Sequence, residues 1–324
     1  MTDSYGRNID YIRISITDRC NLRCVYCMPE NGVEPVSHDE ILSFDEIIRL
    51  TEIFASIGIK KVKLTGGEPL VRKGAVELVK KLKEIQGIEQ VTITTNGICL
   101  TETMKGLAEA GIDGINLSLD TLNPEAFEKI SRRTCFDKVM EGFEEALKYP
   151  KIPLKINCVP MGVEGQNVLE LAELARKYPV HVRYIEMMPI GLGRQFICKT
   201  EDEILSELEE HYGKYEVYSQ KLGNGPGHYY QFEGFKGKIG FISAMSHKFC
   251  NSCNRVRITA QGYLKTCLQY DVGSDLRRLM RGAASDEEIR EAICDAISRK
   301  PLSHQFTEAF TEHREEHMMS QIGG

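Results

Sequence analysis

Short β-rich runs alternate with amphipathic segments along the first 187 residues. The first helix candidate opens with a capping box at Ser43 and Glu46 and stops at Gly58, and another begins at Asn167. Strands that alternate with helices pair in parallel through helical crossovers, so the pattern predicts an α/β fold. The predicted strands are Tyr11–Thr17, Lys61–Thr65, Gln90–Thr95, Gly114–Leu119, Leu154–Val159 and His181–Met187.

Within these strands apolar and polar residues alternate, although parallel strands covered on both faces are usually apolar throughout. One face therefore packs on helices, and the other faces water or a ligand. Because a filled (β/α) barrel carries bulky aliphatic side chains inside, we predict a partial (β/α)6 barrel that holds a polar ligand. A flat, doubly wound sheet is the alternative. The polar positions are Arg13, Ser15, Thr17, Lys63, Thr65, Thr92, Thr94, Asn116, Ser118, Lys155 and Asn157.

The pattern changes after Pro189. Residues 1–188 are therefore predicted to form the barrel, and residues 189–324 a smaller α+β extension that closes its mouth. Helices are predicted at Asp202–Tyr212, Ser274–Arg281 and Asp286–Ser298, and hairpin-like strands at Tyr215–Ser219, Tyr229–Phe232 and Lys238–Ser243.

Charge and cysteine content limit the classes of function that fit this chain. The 324 residues include 41 Lys and Arg against 47 Asp and Glu, and the net charge of -6 disfavours a nucleic-acid coat or a binder of anionic membranes. The first residues lack the features of a signal peptide, and no run approaches the length of a membrane span, so we expect a cytoplasmic protein. Eleven cysteines in such a protein favour metal ligation over disulfides.

Three cysteines follow the first predicted strand with the spacing C-x3-C-x2-C, at the end of the barrel where enzymes of this architecture place their chemistry. A structural zinc site needs four ligands, and no nearby Cys or His completes the set. A 4Fe-4S cluster held by three cysteines leaves one iron open, so the spacing favours iron–sulfur over zinc. This first trio consists of Cys20, Cys24 and Cys27.

A second trio has the spacing C-x2-C-x13-C and again lacks an adjacent fourth cysteine. His247 upstream is either a ligand or a polar loop residue. Arg255 and Arg257 alternate along a strand-like run beside this trio, and their forked donors suit an anionic or guanine-like ligand, the alternative being a solvated pair. This second trio consists of Cys250, Cys253 and Cys267, and the histidines predicted to face solvent are His304, His313 and His317.

The first trio, with Tyr26 just before its last cysteine, resembles the signature of radical S-adenosylmethionine (SAM) enzymes. Thr65–Pro69 resembles the G-G-E-P segment of that superfamily, whose backbone contacts the amino group of SAM. Glycine suits such a contact because no side chain separates the backbone from the ligand.

With both trios in view, the chain resembles the GTP 3′,8-cyclase family almost from end to end. This resemblance implies that SAM is cleaved to a 5′-deoxyadenosyl radical, that the radical takes the C3′ hydrogen of GTP, and that C3′ then bonds to C8. The reaction is the first step of molybdenum cofactor biosynthesis. The matching segments are Arg13, Thr17–Pro29, Thr65–Pro69, Thr94–Gly97, Asn116–Asp120, Arg183–Met188, Cys253–Arg257 and Gly323–Gly324.

The resemblance also implies roles for single residues. SAM contacts fall on Tyr26, Gly67, Ser118 and Met188, and GTP contacts on Arg13, Lys63, Thr94, Lys155, Arg255 and Arg257. The two trios each hold a 4Fe-4S cluster, and the catalytic set is Arg255, Arg257, Gly323 and Gly324, the glycines lying on a tail that enters the active site. Lys63 departs from the family, which has arginine there, and it keeps the charge but loses the bidentate fork.

The partners implied are GTP, an external one-electron reductant and, downstream, cyclic pyranopterin monophosphate synthase, with dimerisation as a family expectation. Two alternatives remain at this point. One is another radical SAM enzyme with an auxiliary cluster, such as a peptide maturase, and the other is a non-catalytic metal-binding interaction protein.

Overall fold

A twelve-stranded sheet forms the centre of the molecule. The computed structural model describes residues 1–34, 36–306, 315 and 317–323, and Gly324 and His313 lie outside the described residues. The strands are β1 (Tyr11–Ser15), β2 (Lys61–Thr65), β3 (Gln90–Thr95), β4 (Ile115–Ser118), β5 (Leu154–Cys158), β6 (His181–Ile185), β7 (Tyr215–Tyr218), β8 (His228–Phe232), β9 (Ile239–Ile242), β10 (Arg255–Ile258), β11 (Tyr263–Lys265) and β12 (Gly273–Asp275).

The sheet has the order β12-β11-β10-β1-β2-β3-β4-β5-β6-β9-β8-β7. Strands β1 to β6 are parallel and follow their order in the sequence, as predicted. In the described residues β7 and β12 do not pair with each other, so the barrel is partial.

All helices but the last, four-residue one cover the outer face of the sheet, where the apolar residues of the strands are buried. Ser43 accepts from the Glu46 N–H in a capping box at the first helix, and Asn167 caps the sixth, both as predicted. The helices are α1 (Phe44–Ser56), α2 (Ala75–Glu84), α3 (Leu100–Glu109), α4 (Pro124–Ser131), α5 (Phe136–Leu147), α6 (Val168–Lys177), α7 (Glu201–Tyr212), α8 (Leu276–Arg281), α9 (Asp286–Ser298) and α10 (Met319–Ile322).

The C-terminal strands join the same sheet at both edges. β10 runs parallel to β1, and β9 runs parallel to β6, with the remaining strands antiparallel outside them. The helix predicted from Ser274 begins later, because Ser274 and Asp275 pair with β11 and the Asp275 side chain accepts from the Arg278 N–H as an N-cap. In the described part of the chain, no helix has the length and apolarity needed to cross a bilayer.

Candidate active site between two cysteine trios

A single cavity of about 520 Å³ lies against the polar face of the sheet. Both cysteine trios line it, and so do all predicted SAM and GTP contacts. The alternation of residues along the strands therefore found the interior correctly, since the intervening residues Ile12, Val62 and Ile93 are fully buried on the outer face. The predicted residues that line the cavity are Arg13, Cys20, Cys24, Tyr26, Cys27, Lys63, Gly67, Thr94, Ser118, Lys155, Met188, Cys250, Cys253, Arg255, Arg257 and Cys267.

The loop of the first trio is held by hydrogen bonds to the chain around it. The Cys27 N–H donates to the Cys24 carbonyl at 2.9 Å, and the Arg23 guanidinium donates to the Cys20 carbonyl at 2.7 Å. The Cys20 thiol accepts from the Leu22 N–H at 3.4 Å. These hydrogen bonds hold the loop in a defined shape.

The G-G-E-P segment packs directly on the backbone that leads into this loop. The Gly67 N–H donates to the Thr17 carbonyl at 2.7 Å, and the Glu68 N–H donates to the Arg19 carbonyl at 2.8 Å. A Cβ on Gly67 would lie 2.4 Å from the Arg19 carbonyl oxygen and 2.8 Å from that of Asp18. Glycine is required here because two backbone segments meet without room for a side chain.

Two buried carboxyls support the same end of the cavity. Burial raises the pKa of Glu68 to about 7, and its oxygens accept from the Asn96 N–H at 2.6 Å and the Thr95 hydroxyl at 2.8 Å. Burial likewise raises the pKa of Asp120 to about 6, and this carboxyl accepts from the Tyr26 hydroxyl at 3.0 Å. Asp120 thus fixes the tyrosine that precedes Cys27.

The chemistry of the first trio fits a positively charged metal group. Burial raises the pKa of Cys20 to about 11 and that of Cys27 to about 12, and it raises the pKa of Cys24 as well. Asp120 and neighbouring thiolates raise the pKa values of Cys24 and Cys27 further. Burial thus disfavours the thiolate form of all three cysteines. A bound cluster supplies the charge that makes three adjacent thiolates stable.

The spacing of both trios also argues against a single zinc ion. Three sulfurs around one tetrahedral zinc lie about 3.8 Å apart, given Zn–S bonds of about 2.3 Å. Within the described residues, one set of three Cys, His, Asp or Glu side chains has its ligand atoms within 4.8 Å of one another, and it is Asp271, Glu315 and His317. The sulfur atoms of neither cysteine trio all lie within 4.8 Å of one another. This wider spacing suits a cluster of several irons.

The second trio lies among cations. Although burial alone would raise it, the pKa of Cys253 falls to about 6 because Arg255 and Lys300 stabilise its thiolate. Arg255 also stacks its guanidinium over the Phe249 ring at 5.0 Å. The Nδ1 of His247 lies 2.9 Å from the Ser246 hydroxyl and 3.5 Å from a Glu201 carboxylate oxygen, contacts that suit the polar loop residue more than the ligand.

Between the trios, the sheet places cations side by side. Arg13 on β1 is in register with Lys63 on β2 and with Arg257 on β10, and neighbouring strands are about 4.8 Å apart. Burial lowers the pKa of Arg13 to about 10 and that of Lys155 to about 8. Burial and the surrounding cations, Arg183 first, also lower the pKa of Lys63 well below its ordinary value. This polar face is built to receive a polyanion.

The C-terminal tail reaches this cationic row. Arg257 donates to the Gly323 carbonyl at 2.7 Å, and a Cβ on Gly323 would lie 2.9 Å from the Thr65 hydroxyl. Upstream, Glu315 forms a buried ion pair with Lys265 that fastens the tail to β11.

Sequence reasoning missed several cavity residues. Arg183 follows the polar phase of β6, so the same alternation could have identified it; its guanidinium donates to Asn116 at 2.5 Å and to Asn157 at 2.9 Å. Lys221 and Lys300 also line the cavity, but they lie in loops, where no strand or helix pattern predicts the direction of a side chain.

The prediction for His304 was wrong. Its ring is buried, lines the cavity and contacts the Ala244 carbonyl at 2.8 Å, because the chain after α9 folds back over the cavity. His317 is exposed, as predicted.

Comparison with known proteins identifies the family. Residues 14–178 match the model of the Radical SAM superfamily, and residues 180–306 match that of Molybdenum Cofactor Synthesis C. The GTP 3′,8-cyclase of Clostridium perfringens (strain SM101 / Type A) is 45% identical over 325 residues, and that of Syntrophomonas wolfei is 44% identical over 330 residues, each covering all of both chains. The chain belongs to the GTP 3′,8-cyclase family.

Membership of this family of radical SAM enzymes favours the main prediction over both alternatives. SAM and 4Fe-4S clusters are the cofactors of the family, and the two trios are the candidate cluster ligands. Among solved structures, Streptococcus suis SuiB bound to S-adenosylmethionine superposes with a TM-score of 0.67 at 14% identity, covering 91% of this chain and 67% of that chain. At this identity the likeness establishes the fold, which is the predicted partial barrel.

Proposed function

We propose that this chain is a lyase that converts GTP to (8S)-3′,8-cyclo-7,8-dihydroguanosine 5′-triphosphate, the first step of molybdenum cofactor biosynthesis. The observation that carries the proposal is one cavity with a cysteine trio and the G-G-E-P segment at one end, and a second trio with Arg255 and Arg257 at the other. Buried cations lie between them. The relatives that match along the whole chain are GTP 3′,8-cyclases.

Cys20, Cys24 and Cys27 would hold the first cluster, which when bound would supply the electron for reductive cleavage of SAM. The resulting 5′-deoxyadenosyl radical would take the C3′ hydrogen of GTP, so that C3′ bonds to C8. The protein positions GTP and excludes water, because a primary alkyl radical attacks whatever lies nearest. In this proposal SAM contacts Tyr26, Gly67, Ser118 and Met188.

The triphosphate lies along the cationic face, and its negative charges offset the repulsion among the buried lysines and arginines. Arg257 holds both a phosphate and the tail through Gly323, which lies beside the substrate in this proposal. Gly324 keeps the catalytic role that the resemblance implies. The proposed GTP contacts are Arg13, Lys63, Thr94, Lys155, Arg255 and Arg257. Arg183 joins this set, since its guanidinium adds to the same row of charge.

The overall reaction needs two electrons and a proton from outside the chain. An external one-electron reductant supplies the electron for SAM cleavage, and cyclic pyranopterin monophosphate synthase consumes the product. We also propose a cytoplasmic homodimer.

The test uses anaerobically reconstituted chain, SAM, dithionite and GTP deuterated at C3′, with mass analysis of the 5′-deoxyadenosine. Deuterium in that product, with GTP consumed, is the expected result. Unlabelled 5′-deoxyadenosine with GTP intact would exclude the cyclase while keeping SAM cleavage.

The affinity for GTP is expected to fall as the pH rises from 7.5 to 9.5, by roughly tenfold. Lys155 has a pKa of about 8 because burial and Arg183 disfavour its charge. It is therefore a cation below this pH and becomes neutral above it, and a neutral amine no longer attracts a phosphate. Equilibrium binding of GTP without SAM measures the effect.

Lys155→Met is the matched control for this pH dependence. It should bind GTP about tenfold more weakly at pH 7.5 and show a shallower pH profile. A profile as steep as that of the unaltered chain would assign the titration to other groups.

A further inference from the structure

The second trio takes its cysteines from two separated stretches of backbone. Cys250 and Cys253 flank one tight turn, whereas Cys267 follows the β10–β11 hairpin, with thirteen residues between it and Cys253. Local sequence cannot hold ligands this far apart in register. The trio therefore depends on contacts that tie the two stretches together.

Arg7, far away in sequence, makes one of these contacts. Its side chain is buried, and its Nη1 donates to the Cys250 carbonyl at 3.0 Å and to that of Leu302 at 2.8 Å. Its Nη2 donates to the carbonyls of Pro301 at 2.8 Å and Lys300 at 3.3 Å. One planar guanidinium thus joins the first ligand of the trio to the segment after α9.

Asp3 holds that guanidinium in place. Its carboxylate accepts from Arg7 Nε at 2.6 Å, and its other oxygen accepts the N–H groups of Tyr5 and Arg7 at 2.9 and 3.0 Å. Gly6 takes a left-handed conformation with φ of 79°, which closes the turn. Because a buried arginine without a counter-charge is costly, the pairing with Asp3 makes this placement stable.

Lys300 makes the second contact, and it reaches the other stretch. Its side chain is buried, and its ammonium donates to the Arg255 carbonyl at 3.0 Å and to the Thr266 carbonyl. Arg255 lies two residues after Cys253, and Thr266 directly precedes Cys267. Lys300 thus links the two stretches, and its own carbonyl is bound by Arg7.

We propose that Asp3, Arg7 and Lys300, here termed the N-terminal clasp, are positioning residues that assemble the second trio for its cluster. The clasp holds backbone next to both stretches of ligands, and Lys300 also lines the cavity. The proposal rests on the proposed function only in taking the second trio as a cluster site.

The test counts iron in the full chain after anaerobic reconstitution. Arg7→Met is expected to lower the iron bound at the second trio at least about fourfold, so that the total falls from about eight to about five atoms per chain. Iron at the first trio and cleavage of SAM without GTP should stay within twofold. Replacing Cys20, Cys24 and Cys27 by alanine gives a background in which the second cluster is counted alone.

Arg281→Met is the matched control. This arginine also donates through Nε to a carboxylate, Glu46, at 2.7 Å and through Nη2 to a carbonyl, Ile41, at 3.2 Å, but it lies beside α1, remote from the trio. Its iron content should equal that of the unaltered chain. Lys300→Met should reproduce the loss seen with Arg7→Met.

Full iron at the second trio in folded Arg7→Met overturns the proposal. Equal loss from both trios also overturns it, because Arg7 would then serve the fold as a whole. If Arg7→Met yields no folded chain, Asp3→Asn decides: iron at the second trio at least twofold lower supports the clasp, and unchanged iron excludes it. None of these counts requires GTP turnover, so failure of the clasp is distinguishable from failure of the cyclase assignment.

Discussion

Replacing Gly67 with alanine is expected to lower the rate of 5′-deoxyadenosine formation at least about 100-fold. The new Cβ would lie 2.4 Å from the carbonyl oxygen and 2.6 Å from the carbonyl carbon of Arg19. Both are backbone atoms in the segment that leads to Cys20, and the hydrogen bond from the Gly67 N–H to Thr17 prevents a simple retreat. The G-G-E-P segment and the first trio must therefore separate, which displaces both from SAM.

Gly106→Ala is the control for this substitution. There the new Cβ would meet the end of the Val76 side chain at 3.0 Å, and a side chain can rotate away. Alanine also suits the interior of α3 better than glycine. Iron at the second trio should persist in both variants. SAM cleavage by Gly67→Ala at more than a tenth of the normal rate would contradict this reading of the contact.

Lys63→Met is expected to stabilise the chain without GTP and to weaken its binding of GTP. Burial lowers the pKa of Lys63 far below its ordinary value, and Arg183 and Arg13 add repulsion. Without GTP this charge is unfavourable, so its removal should raise the melting temperature by roughly 3–6 °C. With GTP the same charge faces the triphosphate, and its loss should weaken binding about 30-fold.

Thermal unfolding without nucleotide and equilibrium binding of GTP measure the two effects. Lys60→Met serves as the control, because Lys60 is exposed and pairs with Glu89 on the surface at 2.7 Å, where such pairs contribute little. A variant with unchanged affinity would remove Lys63 from the GTP site. A lower melting temperature of Lys63→Met would show that the Lys63 ammonium has a stabilising partner in the folded chain.

The opposite effects expected for Lys63→Met, on stability and on GTP binding, follow from a general property of the cavity. A row of buried cations destabilises the free protein and becomes favourable only when an anion arrives. Arg13, Lys63 and Arg257 repel one another on adjacent strands, an arrangement that supports the proposed anionic ligand.

The sequence determined the barrel and most of its interior. Strand–helix alternation predicted six parallel strands, and residue alternation predicted which side chains face inward, because side chains on a strand point to opposite faces with a period of two. Ser43 and Asn167 marked the starts of helices through local hydrogen bonds, which need no tertiary partner. The first trio could also be recognised in the sequence, since its three cysteines lie within eight residues.

Only the tertiary structure decided how distant segments meet. No local pattern indicated that β10 would lie beside β1 and bring Arg257 into register with Arg13, since strand pairing between residues 240 apart depends on the whole chain. The same holds for His304, which folds back over the cavity, and for Arg7, whose partners lie about 240 to 300 residues away. Sequence spacing reports contacts along a strand or a helix, whereas the cavity and the clasp are made by packing among elements far apart in the chain.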